Sequence, residues 1–279
     1  METSYLTQDR IREYLSQGKR LDGRKIEDFR DIVIETGISK KAEGSARVKL
    51  GKTEVLVGIK MDVATPYADS ADQGNLMTTA ELLPLSSDRF ESGPPKIDAI
   101  ELGRIVDRGI RESKFIDLKK LCIKEGEKVW SIFIDIYSIN DDGNLLDAST
   151  IGALAALANA KIPKYDEEAG RVLYGQWTNE RVPLTKNVPI AFTLYKIDDH
   201  FIVDPNREEE DTSEARITIA IANNDTIHAL QKGEEVEFSI DELHSALDLA
   251  EKTYKKLFPV IDKHLKWNKN FLNTKLQEL

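Results

Sequence analysis

The sequence predicts an α+β fold in two halves, on three observations. Residues 45–50 and 53–59 alternate polar and apolar side chains on either side of Gly51-Lys52, the spacing of a tight β-hairpin. A strand over 129–137 then runs through the polar turn Asn140-Asp141-Asp142-Gly143-Asn144 into a helix of small residues over 148–159. Beyond Pro163, short strands over 190–195, 201–203, 217–222 and 226–230 lead into a long helix over 240–267. Each half runs from strands to helix, a pattern that a diverged duplication would give, although no identity-level repeat is visible.

The elements follow in order. Residues 1–24 read as an N-terminal arm, in which Tyr5, Ile11, Tyr14 and Leu15 share a helical face and the charged Gly18-Lys19-Arg20-Leu21-Asp22-Gly23-Arg24 segment forms a loop. The first half is expected over 25–165, with an edge-prone strand at 45–50 and an amphipathic helix over 98–114. The polar stretch Lys164-Tyr165-Asp166-Glu167-Glu168-Ala169-Gly170 reads as the connector, and 166–279 as the second half with its C-terminal helix. Pro259 is expected to kink or break that helix.

Composition narrows the chemistry. The chain has 279 residues, 41% of them hydrophobic and 32% charged, which is enough apolar content for a sizeable core and too much for a disordered chain. No uninterrupted apolar run approaches the roughly 20 residues a bilayer requires. The best, 151–162, carries Asn159 and Lys161. The first ten residues hold charges and no apolar signal region, so a cytoplasmic protein with no membrane contact is expected. One cysteine excludes a disulfide framework, and Cys122, among apolar neighbours, reads as a buried structural residue. The four histidines lie far apart without a ligand spacing, so no metal site and no cofactor are expected. A net charge of −10 disfavours generic adhesion to nucleic acid, and any such contact needs a local basic patch.

Three segments could carry chemistry. At about 100° per residue, Arg104, Arg108 and Arg111 fall within about 60° of one another, opposite Leu102, Ile105, Val106 and Gly109. This row is either a solvated face paired with Glu101, Asp107 and Glu112, or a comb of guanidiniums for the phosphates of a strand. The Asn140–Asn144 turn at a helix amino terminus could present N–H groups to a phosphate, although Asp141 and Asp142 oppose an anion. The five carboxylates between Glu208 and Glu214 could bind magnesium or serve as acid and base, or form a solvated loop.

Taken together and in order, the motifs resemble the RNase PH family. They are the Gly18–Arg24 segment, Gly44-Ser45-Ala46-Arg47-Val48-Lys49-Leu50-Gly51-Lys52-Thr53, Gly74-Asn75-Leu76, and Glu81-Leu82-Leu83-Pro84-Leu85. Ala99-Ile100-Glu101-Leu102 with the arginine helix, Leu145-Leu146-Asp147-Ala148, and Val203-Asp204-Pro205-Asn206 are most similar to one branch, the non-catalytic RNase PH-like subunit of the archaeal exosome. The resemblance implies two βαβα-type halves of the ribosomal protein S5 domain 2-like kind, in a hexameric ring whose pore admits single-stranded RNA. Active members degrade RNA from its 3′ end with inorganic phosphate as nucleophile. They carry Gly-Ser-Arg or Gly-Thr-Arg where this chain has Gly143-Asn144-Leu145, and an aspartate in an Ala-Asp-Met segment where it has Ala215-Arg216-Ile217. The resemblance therefore implies no catalytic residues here. It gives Arg104 and Arg108, with Arg111 as a third candidate, the task of gripping the RNA backbone beside the active site of a catalytic partner. It further implies a trimer of heterodimers with that RNase PH-like subunit, and exosome cap proteins as partners. Two alternatives remain at this point: a phosphorolytic 3′-to-5′ exoribonuclease in its own right, or a small-molecule kinase using the Gly143 turn.

Overall fold

In the computed structural model, which describes residues 3–223, 226–263 and 265, helix α1 (Tyr5–Ser16) precedes a sheet of six strands. These are β1 (Ile32–Thr36), β2 (Gly44–Leu50), β3 (Thr53–Ala64), β4 (Asn75–Glu81), β5 (Cys122–Lys124) and β6 (Lys128–Asn140). Helix α2 (Ile97–Glu112) connects β4 towards β5, and α3 (Leu145–Asn159) follows β6. The hairpin β7 (Lys161–Asp166) and β8 (Arg171–Arg181) leads to a second sheet, made of β9 (Ile190–Ile197), β10 (His200–Val203), β11 (Ala215–Ile221) and β12 (Ile227–Gly233). The short helix α4 (Arg207–Thr212) sits between β10 and β11, and α5 (Ile240–Asp262) comes last.

The first sheet has the order β1-β2-β3-β6-β4, with β5 also on β6. The Gly51-Lys52 turn makes the expected hairpin, with Leu50 opposite Thr53. Along β3, Val55, Val57, Ile59 and Met61 are buried while the residues between them are half-exposed, which is the period-2 pattern of one covered face. Only β4 and β6 are parallel, and α2 supplies the crossover that a parallel pair requires. Helix α3 is apolar almost all round and buried at nearly every position, because it packs on β2 and β3 on one side and on β9 on the other. With α2, which touches β4, α3 and β12, it forms a layer between the two sheets. The second sheet, antiparallel in the order β10-β9-β11-β12, is covered by this layer on one face, while α5 packs on β9 and β11 through Ala246, Ala250, Tyr254, Leu257 and Ile261.

Several expectations are corrected. Strand 45–50 is interior, because β1 pairs with it from Ile32↔Leu50 to Thr36↔Ala46. The polar segment 164–170 forms the end of the β7–β8 hairpin, with Lys164 opposite Leu173 and Asp166 opposite Arg171, so its polarity reflects an exposed turn. In α1, Ile11 and Leu15 are buried but Tyr5 points into solvent. Helix α5 continues past Pro259 to Asp262. Pro259 is exposed, so its ring meets solvent rather than the core. The sequence predicts this helix as far as Trp267, but Lys263 is its cap and Leu265 lies beyond it, while residues 264, 266 and 267 lie outside the described residues. Cys122 is half-buried, at the start of β5. Among the described residues no helix is long and apolar enough to cross a membrane.

Candidate nucleic-acid interface

Helix α2 buries Leu102, Ile105, Val106 and Ile110 and exposes Arg104, Arg108 and Arg111, as its pattern predicts. Asp98 in its first turn and Arg111 in its last both complement the helix dipole. Arg104 and Arg108, one turn apart, line a cavity of about 410 Å³ between α2 and the second sheet. Its floor includes Ala191, Ala220 and Ala229, which stand in register across β9, β11 and β12. Arg108 reaches Gln231 Oε1 only at 3.4 Å, and Arg104 makes no hydrogen bond or ion pair among the described residues. Arg111 differs from both. Its Nε and Nη2 donate to the Asp107 carboxylate at 2.9 Å each, and Nη2 also donates to the Leu76 carbonyl at 2.8 Å. The row of three thus resolves into two open guanidiniums and one anchored to β4.

A second cavity, of about 370 Å³, brings together Leu145 and Arg216, the two positions at which active relatives are expected to carry phosphate-binding and carboxylate groups. Here the helix terminus is already taken: the Asn144 N–H at the start of α3 donates to Glu210 Oε2 at 2.9 Å, and the Gly143 N–H to Asp141 Oδ1 at 3.1 Å. The cations of the cleft are matched too. Arg89 donates to Asp211 at 2.6 Å, Arg207 donates to Asp211 at 2.7 Å and to Asp141 at 3.2 Å, and Arg216 donates to Glu101 at 2.7 Å. Burial alone would raise the Asp211 carboxyl, but Arg89, Thr3 and Arg207 outweigh it and hold it well below the usual carboxylate range. The acidic run is therefore neither a solvated loop nor a clustered ligand set. Most of it folds as α4, opened by a capping box between Asn206 and Glu209, with the carboxylates of Glu209, Glu210 and Asp211 committed to arginines and backbone. Among the described residues no three His, Cys, Asp or Glu side chains are grouped to hold a metal ion.

A network that sequence reading did not find fixes the Gly143 turn. Arg30 donates from Nη2 to Asp204 Oδ1 at 2.7 Å and to the Gly143 carbonyl at 3.1 Å, and from Nη1 to the Asp142 carbonyl at 2.8 Å. Gly143 itself has φ +82°, and a Cβ there would lie 2.6 Å from the Asn206 carbonyl carbon, so the close approach of these loops requires glycine. Asn144 Nδ2 donates to both Asp204 and Asp147 at 2.9 Å. Burial pushes the Asp147 carboxyl well above its ordinary value, against the hydrogen bonds from Asn144 and Thr193, and the Asp204 charge adds to the rise. Arg20 is buried with Glu209, to which Nε donates at 2.8 Å, and its other nitrogens donate to the Val203 and Asp204 carbonyls at 2.9 Å. These contacts join residues up to 189 positions apart, and no local window reveals them.

The fold and the cleft define a class. Residues 28–163 match the family model for 3′ exoribonuclease family domain 1, and residues 187–253 match that for domain 2. The chain belongs to the RNase PH family. Within it, the chain is 49% identical over 248 residues to the exosome complex component Rrp42 of Thermococcus onnurineus, covering 88% of this chain and 90% of that protein. It superposes with a TM-score of 0.84 and 41% identity on a chain of the Archaeoglobus fulgidus exosome with RNA bound to the active site, covering 91% of this chain and 97% of that one. A chain of an archaeal exosome core gives a TM-score of 0.80 at 38% identity over 92% of this chain and 96% of that one. The small-molecule kinase reading is set aside, since the N–H groups of Gly143 and Asn144 are both occupied internally.

Proposed function

We propose that this chain is the non-catalytic subunit of an archaeal exosome ring. It binds single-stranded RNA and supports 3′-to-5′ phosphorolysis by a catalytic RNase PH-like partner, in the cytoplasm, with cap proteins on the assembled ring. The reading rests on a contrast within one face of the molecule. In the cleft of Leu145 and Arg216 each guanidinium meets a carboxylate, and the α3 terminus that would receive an anion holds Glu210 instead. Phosphoryl transfer depends on positioning and on stabilising charge in flight, and a leucine with a neutralised cleft supplies neither. Beside it, Arg104 and Arg108 remain open on one helix face. Guanidiniums so placed read the ribose-phosphate chain and carry little base information. Arg111, committed to Asp107 and Leu76, takes a supporting place in this reading.

Co-expression with the catalytic subunit followed by native mass measurement tests the assembly. A closed ring of three heterodimers is expected, and no stable hexamer of this chain alone. A six-membered ring of this chain only, unchanged by adding the partner, would reject the proposal.

A further inference from the structure

Resting on that reading of the site, we propose that Arg216 and Arg111 keep the RNA-gripping arginines available by capturing the carboxylates of their own helix. Glu101 lies three residues before Arg104, and Asp107 three residues after it. Opposite charges at that spacing on a helix pair readily. Left free, either carboxylate would occupy the Arg104 fork and repel an incoming phosphate. In the structure neither does so. Glu101 Oε2 accepts from Arg216 Nη2 at 2.7 Å, across from β11. Both oxygens of Asp107 accept from Arg111, whose Nη2 is fixed in turn by the Leu76 carbonyl.

The Arg216 contact has a built seat. Residue 216 stands opposite Gly233 in the β11–β12 register, and a Cβ on Gly233 would lie 2.5 Å from the Arg216 guanidinium carbon. The missing side chain leaves the space in which the guanidinium lies flat. Glu234 Oε1, 3.7 Å from Arg216 Nε, adds a second carboxylate to the same cation. Glu101 and Glu234 line both cavities, so the Arg216–Glu101 pair forms the wall between the neutralised cleft and the groove of Arg104 and Arg108. One arginine cancels the acidic wall of the groove from behind, and the other cancels Asp107 from the far end of the helix.

The test is fluorescence titration of the assembled ring with a labelled single-stranded oligoadenylate over a range of salt. Arg216→Met should weaken binding about two- to fivefold, the worth of an exposed ion pair gained by the wrong partner. Adding Glu101→Gln to that variant should restore most of the affinity, because the carboxylate one helical turn from Arg104 is then gone. In a ring carrying Arg104→Glu and Arg108→Glu, Arg216→Met should have no further effect. If the Arg216→Met, Glu101→Gln variant binds as weakly as Arg216→Met, the ion pair is only a mechanical clamp and the proposal is overturned. It is equally overturned if Arg216→Met binds like the unaltered ring. Should Arg216→Met not assemble, Arg111→Met with and without Asp107→Asn decides in the same way, recovery supporting the proposal and continued weakness rejecting it. Failure of the RNA-gripping reading itself is distinguishable, since then Arg104→Glu and Arg108→Glu would leave the titration unaltered.

Discussion

Rings carrying Arg104→Glu and Arg108→Glu are expected to bind single-stranded RNA about a hundredfold more weakly at low salt, across unrelated sequences. Each charge-assisted contact to phosphate is worth about 1.5–3 kcal/mol, and two losses at the lower figure already give two orders of magnitude. Binding titrations against salt should also flatten, by a slope of about 0.7 per contact for a single strand. The ring should stay intact, because both side chains are exposed on the face opposite Leu102 and Val106, where substitutions shift stability by about 0.5 kcal/mol or less. Normal binding over the whole salt range would reduce the pair to a solvated helix face. A ring that falls apart would make Arg104 and Arg108 interface residues.

The largest effect on stability is expected from Arg20→Met. The substitution leaves Glu209 buried and without its main partner, and strips the donors from the Val203 and Asp204 carbonyls. Breaking a buried ion pair from one side costs about 3–5 kcal/mol. For a protein of this size that lowers the melting temperature by about 5–9 °C, measurable by circular dichroism. Arg20→Met with Glu209→Met should recover part of the loss, since no uncompensated charge then remains. A melting temperature unchanged by Arg20→Met would show that the arm does not depend on this pair.

What was legible in the sequence was local. The Gly51-Lys52 hairpin, the α2 arginine face and the small-residue helix α3 each carry their own period, and each appears as read. The strands β1, β4 and β8 were not read, because their burial does not alternate cleanly and their partners lie elsewhere in the chain. With β1 unseen, 45–50 looked like an edge. The same limit governs the site. Arg104, Arg108 and Arg111 are alike on a helical wheel, and the third is set apart by Asp107 on its own helix together with the Leu76 carbonyl of β4, a partner no helical wheel shows. The acidic run over Glu208–Glu214 reads as solvated or metal-binding until Arg20, Arg89 and Arg207 are brought to it by the fold. Leu145 and Arg216, 71 residues apart in number, became one cleft for the same reason.

On the proposed function, this chain holds RNA for a partner's chemistry and performs none itself. The most direct test is phosphate-dependent release of nucleoside diphosphates from a single-stranded RNA, measured with the chain purified free of the partner and again after ring assembly. No release is expected from the chain alone, and processive release once the catalytic subunit is present. Release by the isolated chain at a rate comparable with the assembled ring would contradict it.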